Sequence, residues 1–115
     1  MCKRIYSIDN RKSQSNQKNN DLEFMMCGLK KVQNDLRKIL TFECDAREIS
    51  TNQINEKADF AFIDGWHSDD AVFSDFISCL DLCKNNAFIA FHDTFWVSNG
   101  ILKIFEYLTL NKIEF

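Results

Sequence analysis

Proline is absent from the 115 residues, and glycine occurs only at positions 28, 65 and 100. Three isolated glycines cannot build a glycine-rich binding loop. Basic residues are not clustered: the 14 Lys and Arg are spread along the chain and leave a net charge of −3. A nucleic-acid-binding face would concentrate them, so no nucleic-acid partner is expected. No apolar run approaches the roughly 18 residues that a membrane span requires, so no membrane partner is expected either. Met1-Cys2-Lys3-Arg4-Ile5-Tyr6 carries charge without a long apolar stretch after it, and does not read as a signal peptide. The five cysteines are odd in number and contain no CxxC pair. Cys79 and Cys83 share a face of an expected helix. As small buried hydrophobes they fit a reducing cytoplasm, and a metal or redox pair is the alternative.

What is present is a core. Apolar residues make up 45% of the chain, and 11 of them are Phe. A chain of this size forms at most one domain and buries about two-thirds of its unfolded surface.

Arg4-Ile5-Tyr6-Ser7-Ile8 alternates as a strand does and stops at Asp9. Residues 11–20 are polar and read as a solvated loop. Leu22, Met25, Leu29, Val32, Leu36 and Ile39 recur every three or four residues, which predicts a helix over 21–40. Asn20 can cap it with Glu23 completing a capping box, and Arg37 and Lys38 suit its last turn. Residues 41–44 predict a short strand ending at Asp45, and 47–57 one helical turn or two.

Ala58-Asp59-Phe60-Ala61-Phe62-Ile63-Asp64-Gly65-Trp66-His67-Ser68 organises the rest. Its apolar strand, 60–63, stops on an acid, turns at a glycine, shows a histidine and then offers a helix cap. Ser68 caps the next helix, with Asp69 and Asp70 in the first turn. Phe73, Phe76, Ile77, Leu80 and Cys83 form its stripe, and Lys84-Asn85-Asn86 breaks it. Phe88 to Phe91 is apolar without alternation, as in a strand covered on both faces. His92, Asp93 and Thr94 follow. Ser98 starts a last helix with Ile101, Phe105 and Leu108 on one side. Strands alternating with helices imply an α/β fold built on a parallel sheet with right-handed crossovers.

Four expected strands thus end near an aspartate: Asp9, Asp45, Asp64 and Asp93. Parallel strands bring such ends to one edge, where open α/β sheets bind ligands. Carboxylates there can accept hydrogen bonds from ribose hydroxyls or hold a divalent cation; each alone is also a common strand terminator. His67 and His92 can act as general bases or metal ligands, or can simply be hydrogen-bonded loop residues. Trp66, Phe95 and Trp96 flank the same positions and either wall a pocket for a planar group or pack.

The run ADFAFIDGWHSDDAVFSDF followed by AFIAFHDT resembles the class I S-adenosylmethionine-dependent methyltransferases. It most resembles the branch with an "IDG-x-H" strand end, a mid-helix aspartate (here Asp75) and a later "HD" strand end. That resemblance implies a partial Rossmann-like parallel sheet with helices on both faces. It implies that Asp9, after IYSI, binds the cofactor's ribose. Asp45 and Ala46 would meet its adenine side, and Asp64 and Gly65 would also border it. In metal-dependent members, acids matching Asp64 and Asp93 hold Mg²⁺, and His92 is a further candidate ligand. Direct histidine ligation would favour Mn²⁺ or Fe²⁺ instead. Asp64 and His67 are the candidate catalytic residues. The implied activity is methyl transfer to a hydroxyl of a small-molecule acceptor.

The family's first strand, its glycine-rich turn and its final antiparallel strands have no counterpart, and Asn85-Asn86 stands where Gly-Gly is usual. Residues 1–115 are therefore expected to be a single incomplete domain, truncated at both ends. The rival expectation is a non-catalytic remnant or split-protein half. It would associate with itself or a partner chain at the exposed sheet edge beside Arg4–Ile8.

Overall fold

The structure, a computed structural model, describes residues 4–9, 21–32 and 36–114. The expected loop over 11–20 and the Asn20 cap lie outside the described residues. The chain divides into two compact units, Met1–Asp45 and Ala46–Phe115.

In the first unit, β1 (Ile5–Ile8) pairs in parallel with β2 (Ile39–Phe42), Ile5 opposite Ile39 and Ile8 opposite Phe42. Between them run α1 (Asp21–Val32) and a 3₁₀ turn, Leu36–Lys38. The helix predicted over 21–40 is thus too long. Ile39, assigned to its stripe, and Leu40, its expected last residue, are strand residues, because pairing with Ile5 and Tyr6 gives their backbone a ladder that a helix end does not. The strand accordingly starts before its predicted 41–44 and ends at Phe42, so Asp45 lies in the link to the next element rather than directly at the strand end. Asp9 N–H donates to Phe42 O at 3.0 Å and so extends the ladder by one bond.

The second unit contains a 3₁₀ turn (Ala46–Glu48), β3 (Ala58–Ile63), α2 (Asp69–Leu82), β4 (Cys83–Phe91) and α3 (Ser98–Leu110). β3 and β4 are parallel, with Phe60 opposite Phe88 and Ile63 opposite Phe91. Lys84, Asn85 and Asn86 do end the helix. They lie in an irregular stretch of β4, between the pairs Ala58–Cys83 and Phe60–Phe88. The core is Ile63, Val72, Phe76, Val97, Ile104 and Leu108, with Phe73, Ile77, Leu80, Ile89, Phe91 and Tyr107 packed against it. Phe76 meets the rings of Phe91 and Tyr107, with centroids 6.2 and 6.4 Å away.

Two expectations fail here. Among the described residues of the second unit, only one face of β4 is covered: Phe88 is 78% exposed, and Phe60 and Phe62, on the same side, are 59% and 56% exposed. Side chains two apart on a strand share a face, and the α2–α3 layer packs against the other one. On α3, Ile101 and Leu108 face the core as predicted, but Phe105 is half-exposed and Ile104 is buried in its place.

α2 and α3 approach closely because position 100 is glycine. A Cβ there would overlap Val72 Cγ1 and lie 2.6 Å from Asp69 O. Asp69 also replaces the side-chain cap that α3 lacks. Its carboxylate accepts from Gly100 N–H at 2.8 Å and from Asn99 Nδ2 at 3.3 Å, satisfying a donor that the helix start leaves open. Asp70 and Lys103 add an exposed pair at 2.7 Å between the same helices. It lowers the Asp70 carboxyl and raises the Lys103 ammonium from their usual values.

Candidate active site at the carboxyl end of the second strand pair

β3 ends at Ile63, so Asp64 is the first residue beyond the ladder. His92 N–H donates to Ile63 O at 3.0 Å, which places the two strand ends side by side. The chain then turns twice. After β3, Ser68 N–H donates to Trp66 O at 2.8 Å, and Ser68 Oγ accepts from Ala71 N–H at 3.3 Å as the predicted α2 cap. After β4, Asp93 takes φ 49°, the left-handed region that aspartate tolerates better than most residues. Its carbonyl accepts from Trp96 N–H at 2.9 Å.

These turns bring four polar side chains together. Asp64, His67, His92 and Asp93 each offer one donor atom, and the four atoms lie within 4.8 Å of one another. Asp93 Oδ2 stands 3.1 Å from His92 Nδ1 and 3.2 Å from His67 Nε2. Asp64 Oδ1 stands 3.2 Å from His92 Nδ1 and 3.7 Å from His67 Nε2. Their side chains are one-third to one-half exposed, so the group is open to solvent. Two carboxylates and two imidazoles so disposed can hold a divalent cation or move a proton.

Gly65 has a steric role that the sequence did not reveal. A Cβ on it would lie 2.5 Å from Asp75 Oδ2, so the mid-helix aspartate closes the underside of the turn. Asp75 also lines a shallow cleft with Gly65, Trp66, His67 and His92, floored by Ile63, Val72 and Val97. Trp66, Phe95 and Trp96 are 80%, 83% and 71% exposed, and the Phe95 and Trp96 rings meet edge-on at 5.5 Å. They rim the turns rather than fill the core.

The remaining candidates lie elsewhere in the chain. Asp9 and Asp45 belong to the first unit, at the carboxyl end of β1–β2, and Ala46 opens the 3₁₀ turn of the second. Cys79 and Cys83 are free thiols. Burial, reinforced by Cys83 and Asp75, pushes the Cys79 thiol up to about 12, and burial raises Cys83 despite the opposing Lys57 charge. Neither has the thiolate character that a redox or metal pair requires.

Parallel strands joined through helices, with ligand-capable groups gathered at their carboxyl ends, define an α/β protein of the kind that binds at a strand edge. A family model described as a methyltransferase domain matches residues 2–94, and the chain belongs to that methyltransferase family. The matched span takes in all four described strands and all four members of the cluster. Neither the curated proteins nor the solved structures contain a match to the chain. No described helix is long and apolar enough to cross a membrane.

Proposed function

We propose that this chain transfers a methyl group from S-adenosylmethionine to a hydroxyl of a small molecule. A divalent cation at Asp64, His92 and Asp93 would position the acceptor. The observation that supports this most is the convergence of Asp64, His67, His92 and Asp93 at one strand edge of a methyltransferase-family chain. The donor set fits a cation, because its carboxylate and imidazole atoms already stand at ligand-to-ligand spacings. Asp9 fits the cofactor's ribose, since Phe42 fixes its backbone at the strand end and leaves it exposed.

When bound, the cofactor supplies an electrophilic methyl on a sulfonium, and the cation acidifies the acceptor hydroxyl. The reaction is a displacement along one line, so the chain's task is placement. Asp9 would accept from the ribose hydroxyls, and Asp45 and Ala46 would border the adenine. Gly65 would border the cofactor too, and its lack of a side chain leaves room for Asp75 against the turn. Trp66, Phe95 and Trp96 offer flat apolar surface to a planar acceptor. His67 can serve in one of two ways, as the base that takes the hydroxyl proton or as a further metal donor. A cytoplasmic setting accords with the thiols of Cys27, Cys79 and Cys83, none of which forms a disulfide.

Calorimetry tests this directly. The purified chain should bind S-adenosylmethionine, and should bind an acceptor hydroxyl more tightly when Mg²⁺ or Mn²⁺ is present. No detectable cofactor binding would remove the autonomous-enzyme reading.

A second reading draws on the exposed Phe60, Phe62 and Phe88. An apolar sheet face of this kind is a place of association, and it suits a non-catalytic module that binds a partner or a second copy. Light scattering that finds a monomer at all concentrations would count against self-association.

A further inference from the structure

The cluster offers nitrogen and oxygen in equal number, and this bears on which ion it accepts. Neighbouring donors bound to one tetrahedral or octahedral ion at about 2.1 Å stand about 3.0–3.4 Å apart. The four nitrogen-to-oxygen spacings here run from 3.1 to 3.7 Å, close to that range, and all four donor atoms lie within 4.8 Å of one another. His67 Nε2 meets the same Asp93 oxygen as His92 Nδ1, at nearly the same distance. It is therefore placed as an equal member of the group. Two turns anchored by backbone hydrogen bonds, Ser68 to Trp66 and Trp96 to Asp93, set this spacing.

We infer that Asp64, His67, His92 and Asp93 form a two-nitrogen, two-oxygen centre that selects a first-row transition ion over Mg²⁺. His67 is a ligand in it, not a free base. The inference rests on the cation of the proposed methyl-transfer site and adds its identity and its fourth protein ligand. The selectivity follows from donor chemistry. Mg²⁺ demands oxygen and gives up its waters reluctantly, whereas imidazole suits Fe²⁺, Zn²⁺ and their neighbours. Affinity should rise from Mn²⁺ through Fe²⁺ to Zn²⁺. Half-exposed ligands leave room for water or an acceptor oxygen to complete the shell.

The test is Zn²⁺ titration of the whole purified chain, followed by histidine-ring ¹H–¹⁵N correlation spectra and by competition with Mn²⁺ and Mg²⁺. We expect one Zn²⁺ per chain, with His67 Nε2 and His92 Nδ1 shifting together at the same stoichiometry. Mg²⁺ should fail to compete even at a hundredfold excess. His67→Ala should weaken Zn²⁺ binding at least tenfold with an unchanged circular dichroism spectrum; His67→Asn replaces it if the alanine variant misfolds. A shift confined to His92, competition by equimolar Mg²⁺, or native Zn²⁺ affinity in the His67 variant would overturn the inference. Zn²⁺ binding with both nitrogens shifted, in a chain that ignores S-adenosylmethionine, would leave the centre standing and remove only the methyl-transfer reading. Cofactor binding and transfer with Mg²⁺ as good a competitor as Zn²⁺ would remove the centre alone.

Discussion

The carboxyl ends of the two strand pairs begin from the same residue type and diverge in its company. At the end of β1–β2, Asp9 and Asp45 follow their strands in a unit whose sequence contains no histidine. At the end of β3–β4, the chain's two histidines join two aspartates within 4.8 Å. An acid at a strand end suffices to accept hydrogen bonds from hydroxyls. Holding a cation takes several donors converging on one point, and only ladder register together with tight turns supplies that. His92 reaches Asp64 because its amide extends the β3–β4 ladder. His67 reaches Asp93 because its turn is short and capped by Ser68.

The sharpest way to break this contrast is Asp93→Asn. The asparagine keeps the shape and tolerates the left-handed backbone, so folding should be retained. One oxygen shared by both imidazoles loses its charge, and Zn²⁺ or Mn²⁺ affinity should fall about a hundredfold, a loss of about 2.7 kcal/mol in calorimetry. Methyl transfer should fall with it. Asp9→Asn is the opposite probe. It should weaken S-adenosylmethionine binding about tenfold, about 1.4 kcal/mol, and leave the Zn²⁺ titration unchanged. A change in metal affinity would show that the two ends do not divide the work in this way. The smallest effect concerns sulfur. With its thiol raised to about 12, Cys79 should hold only about one part in ten thousand as thiolate at pH 8. Because the raised value favours the protonated form, reactivity should climb tenfold per pH unit throughout the range below it. Mass-spectrometric alkylation at pH 8 should label exposed Cys27 well before Cys79.

Much of this was legible in the sequence, for identifiable reasons. Ile63 followed by Asp64, and Phe91 followed by His92 and Asp93, mark strand ends by an abrupt change from apolar to polar. The spacing of Phe73, Phe76, Ile77 and Leu80 marks one side of a helix. Such signals are local, and the structure keeps them. What escaped depends on residues far apart in the chain. Ile39 fits a helical stripe until Ile5 offers it a ladder. Asp69 reads as a first-turn acid of its own helix, yet its carboxylate caps α3, 31 residues on. Phe88 looks like a core residue because apolar runs do not say which face a neighbouring layer will cover. Gly65 reads as a turn residue, and nothing local says that Asp75 lies against it.

The Asp69 cap has a mechanical consequence. It lies just past the turn that carries His67, and it grips the start of the helix that follows the Asp93 turn. The two turns are thus fastened together at a point outside the cluster. They should move as one rigid piece, with the gap between His67 and Asp93 fixed before any ion arrives. Ion capture would then require no loop to fold, and its rate would be set by how fast the ion sheds water.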